Sequence, residues 1–220
     1  MRKKIFHCFF SFVLLSIVMA HAEENRNTVI GELIKLGEFY LQKKCYRMSI
    51  RVLTRLLKNY PDTTFTPKIL KDIGEAYCGV GEYDEALKYW EELVQKYSQS
   101  DEAPIALQLE INVLISLGKY SEAITKIDEF SFRYPQDENT PQILFKKGQC
   151  YEAMGELKKA LEEFENFIKH FPQHPLVEKA FQKVVKIAVL IATKPSPTRV
   201  SLENLLNAVN FITSLIILSK

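Results

Sequence analysis

At 220 residues the chain has room for one or two ordinary domains. Its formal net charge of +2, from 29 basic and 27 acidic residues, is too near balance to draw nucleic acid or an anionic membrane through a global field. No nucleic-acid partner is expected, and membrane association only peripherally.

The first residues form a distinct segment. Arg2, Lys3 and Lys4 make a basic head, Ile5 to Met19 is mostly apolar, and Ala20-His21-Ala22 offers small residues where a signal peptidase reads. That order predicts a secretory signal peptide over 1–22, cleaved after Ala22, and a periplasmic or secreted product. The apolar stretch is shorter than the roughly 20 residues of a spanning helix. Cys8 lies inside it rather than at a cleavage point, so a lipid anchor is not expected. Residues 1–22 hold three basic residues and no acid, so the remainder carries a formal charge of −1.

Cys45, Cys78 and Cys150 follow. In an oxidising compartment at least one of three thiols stays unpaired. Two readings stand: three small buried helix residues, or a Cys45–Cys78 bridge between adjacent repeats. No CxxC or Cys/His cluster points to structural zinc.

From residue 30 onward the chain repeats every 37 residues: Pro67, Pro104 and Pro141 are in phase, as are Tyr60, Tyr97, Tyr134 and Phe171. Small residues recur at Ser49, Ala86, Ala123 and Ala160, and large apolar ones at Leu53, Trp90, Ile127 and Phe164. Gly81, Gly118 and Gly155 align, with Lys44 as the first-repeat exception. Each unit reads as a helix hairpin. Thr66-Pro67 and Thr140-Pro141 predict an N-cap followed by proline at the first helical position. The glycine supplies the left-handed residue that ends the first helix. Tyr-Pro or Phe-Pro stops the second, because proline disfavours helix in the residue before it. Four units fit, 30–66, 67–103, 104–140 and 141–177, and one such hairpin cannot bury its apolar face alone.

A fifth first helix is predicted over Leu176–Thr193, with Val185 where glycine is due. Lys194-Pro195-Ser196-Pro197 then breaks the chain. A last apolar helix follows from about Ser201 to Leu218, read as a cap on the stack, a docking or self-association element, or a membrane contact.

Gly74, Tyr77, Gly81, Tyr83, Ala86 and Trp90, and again Gly148, Tyr151, Gly155, Ala160, Phe164 and Pro172, fall on the consensus of the tetratricopeptide repeat, which residues 30 to about 190 resemble. The lengthened unit is similar to the bacterial envelope branch of that family. That branch includes the outer-membrane-protein assembly lipoprotein of the barrel-assembly machine and the Tol–Pal-associated periplasmic repeat protein. The resemblance implies an all-α fold, an α-solenoid of about four hairpins over 23–193. It also implies a non-catalytic, cofactor-free scaffold for protein partners of the cell envelope or of outer-membrane assembly. Alternatives are an adaptor of a secretion or pilus system, or a peptidoglycan-associated factor.

In such stacks the first helices line a groove through their second, fifth, ninth and twelfth positions. Carried over, these are Gly31, Ile34, Glu38, Leu41, Lys68, Lys71, Glu75, Cys78, Ile105, Gln108, Asn112, Ile115, Gln142, Phe145, Gln149 and Glu152. The mixed lining suits a bound peptide or helix.

Arg47, Arg51, Arg55 and Lys58 share one helix face with no acid between them, a basic ridge for anionic lipid or an acidic partner, or else a solvated convex face. His170 and His174 flank Phe171-Pro172-Gln173, where proline breaks the helix that metal ligation at a spacing of four would need. Glu162 and Glu163 read as a solvated face. No phosphate loop or nucleophile–base set is legible.

Overall fold

The computed structural model describes residues 25–193, which form helices joined by short turns. In chain order these are α1 over 25–42, α2 Tyr46–Asn59, α3 Thr66–Val80, α4 Tyr83–Lys96, α5 Glu102–Ser116, α6 Tyr120–Arg133, α7 Thr140–Ala153, α8 Leu157–His170 and α9 Val177–Thr193. They fall into two compact units that divide between Ala103 and Pro104, in the first turn of α5. The expected signal peptide and C-terminal helix lie outside the described residues. Between them, the first and second helices of each hairpin lie where the 37-residue columns put them.

In the first unit Ile30, Ile34, Leu53, Leu56, Ile69 and Ile73 form a buried cluster. In the second, Phe145 packs with Phe164 at 5.2 Å and with Phe167 at 5.5 Å, and Ala160, Ile168, Ala180, Val184 and Ile187 complete that core. Each large side chain so buried contributes about 1.5–3 kcal/mol relative to exposure.

The hairpins close through one recurring device. A large residue of the second helix fills the space left by a residue without a side chain on the first. A Cβ built at Gly37, Gly74 or Gly148 would lie within 3 Å of Leu53, Trp90 or Phe164 respectively. The third hairpin has Ile111 and Ile127 at these two positions, both fully buried. The small-residue column is buried throughout, and Ser49, its polar member, donates from Oγ to the Gly37 carbonyl at 3.0 Å.

The turns between first and second helices are alike. Gly81, Gly118 and Gly155 have φ of 82°, 73° and 76°, and Lys44 takes the same left-handed conformation at 58°. In each the next residue donates back five positions: Cys45 to Tyr40, Glu82 to Tyr77, Lys119 to Leu114 and Glu156 to Tyr151, at 2.8–3.0 Å. This bond uses a carbonyl that the helix end leaves open.

The threonine caps need correction. Phe65 and Asn139, not Thr66 and Thr140, hold the N-cap positions, and neither threonine caps its own helix. The hydroxyls point backward. Thr66 Oγ1 donates to the Pro61 carbonyl at 2.9 Å and Thr140 Oγ1 to the Tyr134 carbonyl at 2.8 Å. They fasten the start of one hairpin to the end of the one before.

Candidate functional site

Within each unit, consecutive first helices are joined by polar side chains, and these links define the face a partner would meet. In the first unit Glu38 of α1 pairs with Lys68 of α3 at 2.6 Å. One turn on, Lys71 binds Asp72 at 2.7 Å and Glu75 at 2.9 Å. Burial opposes the charge on Lys71, but Asp72 and Glu75 outweigh it and hold the ammonium above the ordinary lysine range. Burial raises Asp72 despite that lysine. The indole of Trp90 donates to the Lys71 carbonyl at 3.1 Å, so the core fixes this helix from behind. Each cation of this face therefore has an acid beside it.

The second unit is built differently. Lys146 of α7 donates from Nζ to Oδ1 of Asn112 on α5, a neutral partner. Burial lowers Lys146 below the usual lysine range. The thiol of Cys150, one turn along α7, is pushed up to about 11, chiefly by burial. Glu152 receives Lys183 of α9 at 2.6 Å on one oxygen and Lys186 at 3.8 Å on the other. Lys179 stands 5.7 Å over the Phe145 ring.

Set against the expected groove, Glu38, Lys68, Lys71, Glu75, Gln108, Asn112, Gln142 and Gln149 keep exposed or half-exposed side chains, and Leu41 is half-buried. Ile34 and Phe145 are corrections: at 3% and 4% exposure they belong to the cores and are not offered to a partner. Lys146, Lys179, Lys183 and Lys186 were missed. Lys146 stands at the sixth repeat position, which the groove rule skips, and the other three lie on α9, which the rule was not carried into. Its second and ninth positions hold Lys179 and Lys186, so this part was available in the sequence.

The basic ridge is an exposed row on α2: Arg47, Arg51, Arg55 and Lys58 lie in solvent, and none makes an ion pair among the described residues. The thiols are free in the structure, with Cys45 exposed, Cys78 partly covered and Cys150 buried, so the Cys45–Cys78 bridge is absent. His170 Nδ1 lies 2.7 Å from the Asn166 carbonyl, and His174 Nδ1 accepts from the Leu176 amide at 3.1 Å. Glu163 is not a solvated carboxylate. Lys147 binds it at 2.9 Å and reaches Asp128 at the same distance, joining α6, α7 and α8. Among the described residues no group of three or more potential ligands is placed to hold a metal, and no helix is long and apolar enough to cross a membrane.

These paired helices, with their glycine turns and glycine-seated large residues, are helix hairpins of tetratricopeptide type. The family model described as tetratricopeptide repeat matches residues 72–100 and 142–174. Solved structures agree on the fold. A crystal structure of MamA protein is 18% identical with a TM-score of 0.59, over 85% of this chain and 90% of that one. MamA from Desulfovibrio magneticus is 15% identical with a TM-score of 0.56, over 86% and 94%. A tetratricopeptide repeat protein from Parabacteroides merdae is 13% identical with a TM-score of 0.57, over 84% and 73%. Among curated proteins none matches this chain.

Proposed function

We propose that the chain is a non-catalytic scaffold that binds protein partners in the bacterial cell envelope, in outer-membrane protein or envelope assembly. The observation that carries the binding role is the pair of first-helix faces. Each is fixed from behind by a packed core and presents polar side chains held in place. Such a face loses little ordering entropy on binding, and repeat arrays of this type use their first-helix surface for extended partners. The envelope location is supported by the basic–apolar–small order of residues 1–22 and by the lengthened repeat ending in Tyr-Pro or Phe-Pro.

The test is photo-crosslinking in intact cells from a benzoylphenylalanine placed at Gln142 or Gln149, with fractionation of the same cells. Specific adducts with envelope proteins are expected, and a mature N-terminus at Glu23. Adducts equal to those from a probe on the outer face of α8, at Lys169, would overturn the scaffold reading. An intact Met1 in a cytoplasmic fraction would overturn the location.

A further inference from the structure

We propose that the first-helix face of the second unit recognises an acidic peptide segment, with Lys146 anchoring one of its side-chain carboxylates. This deepens the scaffold reading and rests on it.

The argument starts from the links between neighbouring first helices. Glu38–Lys68 and Glu152–Lys183 are ion pairs, whereas Lys146 meets an amide oxygen. An ammonium carries three N–H donors, and Asn112 takes one of them. A cation drawn partly out of water without a carboxylate costs stability, and proteins commonly remove such a cost by pairing. Lys146 has no ion pair among the described residues, and burial without a balancing acid lowers its proton affinity. A carboxylate arriving beside Asn112 would take the remaining donors.

The surroundings favour the same ligand. Lys179, Lys183 and Lys186 follow on α9, while Glu152 is already shared by two of them. These four lysines and one glutamate leave the face strongly positive, which draws and orients an acidic partner. Gln142, Lys146 and Gln149 share one side of α7, and Gln108 lies one turn before Asn112 on α5. Amides flanking a cation can bond the backbone of an extended chain while the cation reads its acid. The cations are lysines, with no arginine fork for phosphate, which favours a carboxylate over a nucleic-acid backbone.

The experiment is fluorescence anisotropy on the full chain with a labelled twelve-residue peptide of alternating Glu and Leu, its C-terminus amidated, and with its Gln-for-Glu counterpart. The acidic peptide should bind roughly tenfold or more tightly than the neutral one, and Lys146→Met should remove most of that difference. Lys146→Arg should restore a good part of it, and Lys169→Met, which deletes the same charge on α8, should leave it. Thermal melts confirm that each variant folds. Equal binding of the two peptides, an effect of Lys146→Met no larger than that of Lys169→Met, or preference for single-stranded DNA over the acidic peptide would each overturn the assignment. If both peptides bind and neither depends on Lys146, this assignment fails while the scaffold reading stands. If neither binds, the assignment also fails, and in-cell crosslinking decides the scaffold reading separately.

Discussion

The indole of Trp90 occupies the space that a side chain on Gly74 would need. A Cβ at residue 74 would lie 2.2 Å from Trp90 Nε1 and 2.6 Å from two further ring atoms. The ring cannot swing aside cheaply, since Trp90 is 1% exposed and its Nε1 is bonded to the Lys71 carbonyl.

Gly74→Ala therefore sets two effects against each other. Alanine gains about 1 kcal/mol of helix propensity over glycine, while overpacking a rigid core costs about 1–3 kcal/mol. Displacing a hydrogen-bonded indole belongs at the upper end, so net destabilisation of about 1–2 kcal/mol is expected in urea denaturation. At Gly31, where nothing lies within 4 Å of the added Cβ, the sign should reverse.

Lys44 holds a φ of 58° at a turn where the other hairpins have glycine. Left-handed backbone costs a residue with a side chain about 1 kcal/mol. Lys44→Gly should raise stability by about that amount, less some extra freedom in the unfolded chain. Gly118→Ala should do the opposite. Differential denaturation of the two variants reads the contrast directly.

Lys146 gives a pH-dependent prediction. Its folded pKa lies below the ordinary 10.5, so the unfolded chain holds the proton more tightly. The cost of the charged form is present at neutral pH and is relieved as pH rises from the folded value toward 10.5. Lys146→Met should thus be more stable than the parent at pH 7, with the gain shrinking as pH climbs through that window. Asn112, which is exposed, recovers its hydrogen bond from water. A gain that stays constant from pH 7 to 11 would show that packing, not charge, sets the effect.

The thiols should separate by reactivity. Cys150 is buried, with its pKa raised to about 11, so little thiolate forms near neutrality, whereas Cys45 lies open to solvent. Brief maleimide treatment of the native protein at pH 7.5, read by peptide mass spectrometry, should label Cys45 and spare Cys150. Equal labelling in urea would confirm that the fold makes the difference.

The hairpins were legible in the sequence because glycine, proline and size recur in register and each has a strong local cause. Lys44 breaks its column in chemistry but not in conformation, since the five-residue return bond closes the turn regardless. The threonines misled because a hydroxyl beside proline suits a forward cap, while the nearest open acceptors belong to the turn behind it. Ile34 and Phe145 show why a positional rule for a groove fails residue by residue. Lys71 and Gln108 keep to the surface in that column, while the apolar members turn into the cores. Lys146 escaped notice because its column holds Asp72 and Leu109 in the preceding units, so no pattern singles it out.

The matched sizes across each hairpin also limit how freely its parts could be exchanged. A graft of α4 onto α5 would bring Trp90 against Ile111, with no hollow to receive the ring. The reverse graft would set Ile127 over Gly74 and leave a void. Each pair has to travel together, so recombination or engineered swapping should succeed with whole hairpins and fail with single helices.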